Sequence, residues 1–382
     1  MSGQKLIPVK YRRPGLKTAF FRYPDQGLLF TIIFLLCAGL VVVYSSSSIH
    51  SMHNFEDSLF YVRRQFIRML IGLVLMVFFA FLDYRKLSKA APFLCLGATI
   101  GLLLVYVPGI GVEAGGGRRW IDVFVRIQPS EYFKVFYIVF LGTSLSQLHR
   151  VEHKFLKLIL PHLAFLGFVF LVVLKQPDLS TAFLIALVGV TLICFVYTKP
   201  ALIIGLVIGG AFVVGYQVYK TPYRLKRVIA FMNPSDHELG YGYQVLQSKI
   251  SLGSGGVTGL GLGQSRQKFF YLPEEHTDFI FAVVGEEFGF VGTFVLLLAF
   301  MSLVLRGLRI SRYAPDSIGQ LIALGIMIYL TLQILFNLMV VVGLVPPTGL
   351  PLPFVSYGGN ALITNLISAG ILLNISSHCV YP

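Results

Sequence analysis

The sequence Arg-Gln-Lys-Phe-Phe-Tyr-Leu-Pro-Glu-Glu-His-Thr-Asp-Phe-Ile-Phe, residues 266–281, places bases, acids and a histidine directly before a long apolar run. Pro273 suits the position just ahead of a helix, where its missing N–H matters least. Thr277 or Asp278 is then expected to cap that helix or to lie in its first turn. The helix is long and apolar enough to enter a membrane. A carboxylate where such a helix enters the membrane costs free energy, so its presence there suggests a function. Asp278 is therefore the leading catalytic candidate.

The composition indicates an all-α polytopic membrane protein. The chain of 382 residues is 56% apolar and 13% charged, whereas soluble proteins carry about 25% charged residues. Apolar runs of the length that a bilayer-spanning helix requires recur along the chain. We predict ten transmembrane helices, at residues 27–44, 66–82, 91–107, 127–146, 156–174, 180–197, 201–219, 279–305, 318–342 and 360–375. The first lacks a convincing cleavage site and is interpreted as a retained helix rather than a removed signal.

The charge pattern orients the chain across the membrane. The N-terminal tail and the short loops after the even-numbered helices are rich in Lys and Arg, which the positive-inside rule assigns to the cytoplasm. We therefore predict a basic cytoplasmic tail at 1–26, a single ten-helix membrane domain at 27–376 and a short cytoplasmic tail at 377–382. The long segment 220–278 between helices seven and eight then forms a large extracytoplasmic loop.

Several arginines on the predicted outer side run against this rule and suggest an anionic ligand there. They are Arg63, Arg64, Arg118, Arg119 and Arg126. Contacts with lipid head groups are an alternative explanation for each of them. Arg118 and Arg119 follow a glycine tract and precede Trp120, so their guanidinium groups can fork onto phosphate beside an interfacial side chain. An ordinary glycine-rich loop with interfacial anchors would show the same pattern.

Two charges fall inside the fourth predicted helix. Glu131 and Lys134 are three residues apart and share a helix face, so they can pair. An ion pair within a span must face the protein interior or water. It either fixes helix packing or supports a functional site.

Two further segments stand out between the helices. Loops as long as 220–278 are usually functional, and within it Gln247–Ile250 is expected to form a short amphipathic surface helix. Residues 345–360 hold four prolines in an apolar sequence, which excludes a regular helix. Non-helical backbone at membrane depth is tolerated only where it lines a cavity or is buried in protein, so we expect a re-entrant wall. The serines at 45–48 are interpreted as the polar outer end of helix one, and Asp178 as the cap of helix six.

Other function classes lack their motifs. No phosphate-binding P-loop is present, so the chain is not by itself an ATP-driven pump. The Gly-x-Gly pattern near 259–263 has no following strand and helix, which excludes a dinucleotide site. Three of the four cysteines fall within predicted spans, so neither a disulfide framework nor a zinc site is indicated. No nucleic-acid partner is expected.

The motifs taken together resemble those of the SEDS family, which contains FtsW, RodA and SpoVE. The main blocks are Gly259–Lys268, Tyr271–Phe281 and Gly285–Gly289, supported by Arg119–Ile121, Gln128–Glu131, Gln176–Asp178 and Gly349–Gly359. They follow the family's order across nearly all ten predicted helices. The resemblance implies a membrane glycosyltransferase of the bacterial cytoplasmic membrane that polymerises lipid II into peptidoglycan. It also implies a class B penicillin-binding protein and other division-complex membrane proteins as partners.

By the same resemblance, Asp278 matches the family's essential acid at the head of helix eight. The Ser265–Lys268 and Gly285–Glu287 motifs look more like the division-type FtsW/SpoVE branch than the elongation-type RodA branch. Two positions depart from the family pattern. Asn360 follows Gly358-Gly359 where serine is usual, and Thr348 stands where FtsW often has lysine. Both departures affect the expected ligand contacts more than the family.

The chemistry that this resemblance implies is a single displacement. Asp278 would act as general base on an acceptor sugar hydroxyl, which attacks and inverts the anomeric carbon of a diphosphate-linked donor. Because the leaving group is a phosphate ester, charge stabilisation should dominate, and a divalent cation such as Mg²⁺ or Mn²⁺ could assist. The substrate-binding candidates are Arg63, Arg64, Arg118, Arg119, Trp120, Lys268, Glu275, His276, Ser356, Tyr357, Gly358 and Gly359.

Three alternatives remain open at this point. A lipid II flippase would need the same ligand and a charged cavity, but a carrier needs its site near mid-membrane, whereas Asp278 lies in an outer loop. A RodA-like polymerase for cell elongation would share the chemistry and differ in its role. A scaffold of the division complex would tolerate substitution of Asp278.

Overall fold

A computed structural model describes residues 24–114, 117–122, 126–148, 159–197, 200–232, 241–265 and 277–381. These residues form twelve helices and one small sheet. The helices are α1 (Gln26–Phe55), α2 (Phe60–Phe81), α3 (Tyr84–Leu104), α4 (Pro129–Leu148), α5 (Leu160–Leu174), α6 (Leu179–Val196), α7 (Pro200–Lys220), α8 (Pro222–Met232), α9 (Tyr241–Ser254), α10 (Ile280–Tyr313), α11 (Ser317–Val341) and α12 (Gly359–His378). The predicted cytoplasmic tail lies almost entirely outside these ranges.

The polytopic helical fold is confirmed. Within the described part of the chain, eight helices are long and apolar enough to cross a membrane: α1, α2, α3, α6, α7, α10, α11 and α12. The shorter apolar α5 and the charge-bearing α4 bring the set to the ten that the sequence predicts. Most boundaries agree to within a few residues. Helices α2 and α3 begin earlier than predicted and α10 ends later. Helix α1 differs most, since it continues to Phe55 and includes the serines that were interpreted as its outer end.

Helix α12 lies at the centre of the bundle. All its residues from Gly359 to Ser377 are buried, and its nearest neighbour is α2. A Cβ built on Gly370 would lie 2.4 Å from the carbonyl oxygen of Met76, and one on Gly72 would lie 2.4 Å from Leu366 Cδ1. Glycine at position 370 lets the two helix backbones approach closely, as in membrane helix pairs with small interfacial residues, and glycine at position 72 leaves room for the Leu366 side chain. The position of α2 relative to α12 is therefore well defined.

The glycine-rich segment after α3 folds into a sheet, which the sequence did not predict. Strands β1 (Gly111–Ala114), β2 (Gly117–Asp122) and β3 (Arg126–Ile127) are antiparallel in the order β1-β2-β3. The short β3 leads directly into α4. The sheet thus fixes the entrance to α4, the helix that carries Glu131 and Lys134.

The described parts of the segment 220–278 include regular structure. It contains α8 and α9, and Gln247–Ile250 lies within α9. The predicted surface helix is therefore longer than expected and partly buried: Ser248 is fully buried and donates to the carbonyl of Val341 at 2.8 Å. Helix α9 thus packs against the C-terminal end of α11.

Helix α10 is broken at Gly289, where φ is 64° and ψ is −159°. The segment after α9 runs alongside the break. Leu260 and Gly261 donate backbone N–H groups to the carbonyls of Glu286 and Glu287, and Phe290 donates to the carbonyl of Gly256, all at 2.9–3.0 Å. Backbone groups that the helix leaves unsatisfied are thus paired within the protein, as membrane depth requires.

Candidate functional site

Asp278 lies just outside α10 and does not cap it. The helix begins at Ile280 with Phe279 as its N-cap, and no side chain caps the first turn, so the predicted capping by Thr277 or Asp278 is wrong. The Asp278 side chain instead faces the irregular segment after α11: a Cβ built on Gly349 would lie 3.9 Å from Asp278 Oδ2. Gly349 has a φ of 78°, a left-handed conformation that favours glycine.

The segment 343–358, which we call the re-entrant segment, has no regular structure, and its residues 352–356 are buried. This confirms that the proline-rich stretch is non-helical and partly buried, while its depth in the membrane stays a prediction. Ser356 joins it to the start of α10, because its hydroxyl donates to the carbonyl of Thr277 at 2.6 Å and accepts the N–H of Leu352 at 2.9 Å. The residue next to Asp278 is therefore bonded directly to this segment.

Asn337 on α11 makes a second connection. Its Nδ2 donates to the carbonyl of Asp278 and to the carbonyl of Leu350, both at 2.9 Å. One turn earlier, Gln333 Nε2 donates to the carbonyl of Pro351 at 2.8 Å. Both amide side chains are almost completely buried. Asp278 and the re-entrant segment are thus held to the same helix face by side-chain amides.

Helix α2 supplies the other side of the site through Tyr61, Gln65 and Arg68, which share one face. Gln65 Nε2 donates to the carbonyl of Ser356 at 3.1 Å. Arg68 Nη1 lies 3.5 Å from the Tyr357 hydroxyl, and its Cζ lies 5.8 Å from the centre of that ring. Tyr61 packs edge-on against the same ring.

Sequence reasoning missed Gln65, Arg68, Gln333 and Asn337. The available signal was their spacing: each pair is three or four residues apart on a helix whose other residues are largely apolar. Polar side chains at such positions in a span almost always face the bundle interior.

The predicted pair of Glu131 and Lys134 is confirmed as an ion pair, with Lys134 Nζ 2.8 Å from Glu131 Oε1 and both side chains buried. The Thr364 hydroxyl lies 3.4 Å from Glu131 Oε2, so the pair packs against α12. Close by, Asn360 accepts from the Tyr132 hydroxyl at 3.3 Å and donates to the carbonyl of Arg126 at 3.1 Å. Asn360, which departs from the family pattern, therefore links α12 to α4.

The predicted outer arginines have partners within the protein. Arg63 pairs with Asp57 at 3.3 Å, and Arg64 lies over the ring of Phe60 with its Cζ 4.1 Å from the centre. Arg118 Nε donates to the carbonyl of Gly111 at 3.1 Å. Arg119 Nη1 lies 3.9 Å from Asp178, which also caps α6 through the N–H of Thr181, as expected. Trp120 lies in β2 opposite Val112.

Two buried acids anchor the segment after α9. Glu286 accepts from Ser265 at 2.5 Å and from Ser251 at 3.2 Å. Glu287 accepts from Ser45 at 2.5 Å and from the N–H of Gly263 at 3.1 Å. The serine cluster of α1 thus faces a buried carboxylate rather than the outer surface. Lys268, Glu275 and His276 lie outside the described residues.

No group of three or more His, Cys, Asp or Glu side chains in the described ranges is placed to hold a metal ion. A divalent cation such as Mg²⁺ or Mn²⁺ stays a prediction. An apolar groove of about 370 Å³ opens between α1 and α10, and Val355 of the re-entrant segment contributes to its lining together with Phe34, Val284 and Phe288. The groove therefore reaches the residue next to Ser356.

Comparison with known proteins gives consistent matches. The family model of the cell cycle proteins FtsW, RodA and SpoVE matches residues 26–381. Stage V sporulation protein E of Bacillus subtilis is 42% identical over 366 residues, which cover 94% of this chain and 98% of that protein. The probable peptidoglycan glycosyltransferase FtsW of Geobacter sulfurreducens is 39% identical over 365 residues, which cover 95% and 98%.

Solved structures with the same fold extend this comparison. One, described as "Structural coordination of polymerization and crosslinking by a peptidoglycan synthase complex", superposes with a TM-score of 0.75 at 26% identity, over 92% of this chain and 97% of the other. The rod shape determining protein RodA of Thermus thermophilus gives a TM-score of 0.67 at 27% identity, over 93% and 96%.

Proposed function

Because this chain belongs to the family of FtsW, RodA and SpoVE, we propose that it is a peptidoglycan glycosyltransferase that polymerises lipid II, with Asp278 as the general base. The chain is a multi-pass membrane protein, and we place it in the bacterial cytoplasmic membrane with both termini in the cytoplasm. The single observation that carries the catalytic assignment is the position of Asp278. Asp278 precedes the N-cap of α10 and lies beside a buried non-helical segment. Asn337 donates both to the Asp278 carbonyl and to that segment, and Ser356 of the segment donates to the carbonyl of Thr277.

The proposed reaction is a displacement at the anomeric carbon of the donor sugar. The acceptor hydroxyl forms the new C–O bond and passes its proton to the Asp278 carboxylate. The bond between the anomeric carbon and the diphosphate oxygen breaks, and its electron pair leaves with the diphosphate. A single displacement inverts the anomeric carbon. The apolar groove between α1 and α10 suits the polyprenyl chain of such a substrate, since it ends at the re-entrant segment.

The residues around Asp278 have distinct proposed roles. Ser356, Tyr357, Gly358 and Gly359 form the wall against which the substrate head group lies. Arg63, Arg64, Arg118, Arg119, Trp120, Lys268, Glu275 and His276 stay substrate-binding predictions. The buried pair of Glu131 and Lys134 supports the site by holding α4 against α12.

We propose a role in cell division with a class B penicillin-binding protein and other division-complex membrane proteins as partners. Similarity to stage V sporulation protein E and to FtsW supports the division branch. The solved structure that describes a peptidoglycan synthase complex of polymerisation and crosslinking supports a transpeptidase partner. Depletion in cells tests the role: long cells without septa are expected, and rounded cells would indicate an elongation polymerase.

The catalytic assignment is tested with purified full-length protein, its cognate penicillin-binding protein and lipid II. Asp278→Asn should lower the polymerisation rate about 10²–10⁴-fold, as expected for loss of a general base. Glu56→Gln is the matched control, because Glu56 is an exposed acid at the end of α1 that has no role in the proposed reaction. Wild-type rates for Asp278→Asn would refute the assignment. Movement of lipid II across liposome membranes without formation of glycan strands would favour a flippase instead.

A further inference from the structure

Arg68 carries a charge inside α2, one of the helices long and apolar enough to cross a bilayer. It lies eight residues after Phe60, the first residue of α2, which is about 12 Å along a helix of 1.5 Å rise per residue. The apolar run of α2 is predicted at 66–82, so Arg68 lies just inside the start of that span. A charged side chain there is costly and marks a binding function by default.

The contacts of Arg68 leave its charge without a counterion in the described part of the protein. No carboxylate there lies within 4.0 Å of its guanidinium, and the ion pairs of the structure involve other arginines. Its contacts are with the hydroxyl and the ring face of Tyr357. A neutral phenol orients a guanidinium but does not neutralise it. Arg63 and Arg119, by contrast, each have an aspartate.

The surrounding structure fixes Arg68 against the site rather than toward the lipid. Its side chain crosses Gly359, where a built Cβ would lie 2.1 Å from Arg68 Cδ and 2.4 Å from Nε. Only glycine leaves room for that path. The close approach of α2 and α12 at Gly72 and Gly370 keeps the two helices in register. The guanidinium is therefore held at Tyr357, partly buried.

Arg68 and Asp278 flank the same short segment. Arg68 contacts Tyr357, the preceding Ser356 donates to the carbonyl of Thr277, and Asp278 follows. Gln65, one turn before Arg68, donates to Ser356 as well. A cation and a carboxylate thus both lie beside the re-entrant segment, Arg68 at Tyr357 and Asp278 at Gly349. A reaction with an anionic leaving group and a neutral nucleophile uses one group of each kind, a cation to stabilise the departing charge and a base to take the proton.

We propose that Arg68 is the residue that binds the diphosphate of the polyprenyl-linked donor. The inference rests on the proposed function and deepens it by naming the leaving-group site. As the bond between the anomeric carbon and the diphosphate oxygen breaks, the electron pair moves onto the diphosphate, and the guanidinium of Arg68 stabilises that charge by charge-assisted hydrogen bonds.

Binding of undecaprenyl diphosphate, undecaprenyl monophosphate and neutral undecaprenol to the purified full-length protein in detergent micelles tests the proposal, with native mass spectrometry as the readout. Arg68→Ala should weaken undecaprenyl diphosphate binding about 10- to 100-fold, as expected for hydrogen bonds to charged groups. Binding of undecaprenol should not change. Arg68→Lys keeps the charge without the planar fork and should retain part of the affinity.

Arg309→Ala is the matched control, because Arg309 also lies over a tyrosine ring, that of Tyr381, at 4.9 Å, near the opposite end of α10. It should bind all three lipids as the wild type does. Wild-type diphosphate binding by Arg68→Ala, or equal loss of all three lipids in both Arg68 variants, would overturn the proposal. Displacement of undecaprenyl diphosphate by an equal concentration of phosphatidylglycerol would overturn it in favour of an ordinary anionic lipid site.

The proposal and the proposed function can fail separately. If undecaprenyl diphosphate binding depends on Arg68 but the wild-type protein forms no glycan strands from lipid II, the diphosphate site stands and the polymerase function is refuted. Strand synthesis by Arg68→Ala with an unchanged KM for lipid II would keep the polymerase and refute the site.

Discussion

Replacing Asn337 with alanine should lower the rate of lipid II polymerisation by more than the accompanying loss of stability explains. The substitution removes two hydrogen bonds of 2.9 Å, one to the carbonyl of Asp278 and one to that of Leu350. Asn337 is 1% exposed, so water does not readily replace it. A buried carbonyl that loses its donor costs about 1–3 kcal/mol, and two such carbonyls give about 2–6 kcal/mol.

This energy acts on the docking of the re-entrant segment against Asp278. The carboxylate should therefore occupy its working position for only part of the time. Because a displacement of 1 Å can lower an enzymatic rate about 10²-fold, we expect kcat for lipid II polymerisation to fall by about that factor. KM should change little, since Asn337 makes no contact with the residues proposed to bind the head group. Asn337→Asp has the same size but, when ionised, has no donor and adds a buried charge, and when protonated it has a single donor for two carbonyls, so it should also be slow.

Asn374 provides the matched control for this prediction. It is also a buried amide that joins two elements: it donates to the carbonyl of Ala80 at 2.8 Å and accepts the N–H of Tyr84 at 2.9 Å. Asn374→Ala should lower the melting temperature in detergent as much as Asn337→Ala while kcat stays unchanged. The reasoning is refuted if both variants melt alike and both polymerise lipid II at the wild-type rate.

Two further substitutions test the elements that support the site by thermal unfolding in detergent. Lys134→Met leaves Glu131 as an uncompensated buried charge and should cost about 3–5 kcal/mol, whereas adding Glu131→Gln should recover most of it; no recovery in the double variant would contradict the buried pair. Gly289→Ala forces a side chain onto a φ of 64°, with its Cβ 2.3 Å from the backbone nitrogen of Gly259, and should destabilise by about 1–3 kcal/mol. Gly97→Ala, with nothing within 4 Å of the added carbon, is its control and should be neutral or slightly stabilising; equal melting temperatures for both would contradict the strained break.

The helices could be predicted because apolar runs in a membrane have little alternative to helical structure. The end of α1 could not, because hydropathy does not show what a polar residue faces. Ser47 donates to the carbonyl of Val43 one turn earlier, and Ser45 donates to Glu287 across the helix interface. Serines whose hydroxyls are hydrogen-bonded within the bundle can lie inside a membrane-spanning helix, although in sequence they look like its polar end. The small sheet was missed for a related reason, since its pairing depends on a turn that composition alone does not specify.

Asp278 could be singled out from sequence because charge crowds against the start of an apolar run. Its supports could not, because they lie in other helices. Asn337 and Gln333 are amides in an otherwise apolar helix, and Arg68 follows two arginines that are more conspicuous in sequence. Only the fold shows that Arg64 lies over Phe60 while Arg68 reaches Tyr357. The periodicity of three and four residues indicated a shared face but not its partner.

Irregular backbone of the re-entrant segment lies beside Asp278, and this explains why the site needs so many buried polar side chains. Non-helical backbone in a membrane leaves carbonyls and N–H groups that only the protein can satisfy. Asn337, Gln333 and Gln65 donate to the carbonyls of the re-entrant segment, and the segment after α9 pairs with the break at Gly289. Each of these contacts crosses between helices far apart in sequence. The geometry around Asp278 is therefore set by the packing of the bundle, so a shift of one helix against another changes the position of the carboxylate without altering any residue that touches it.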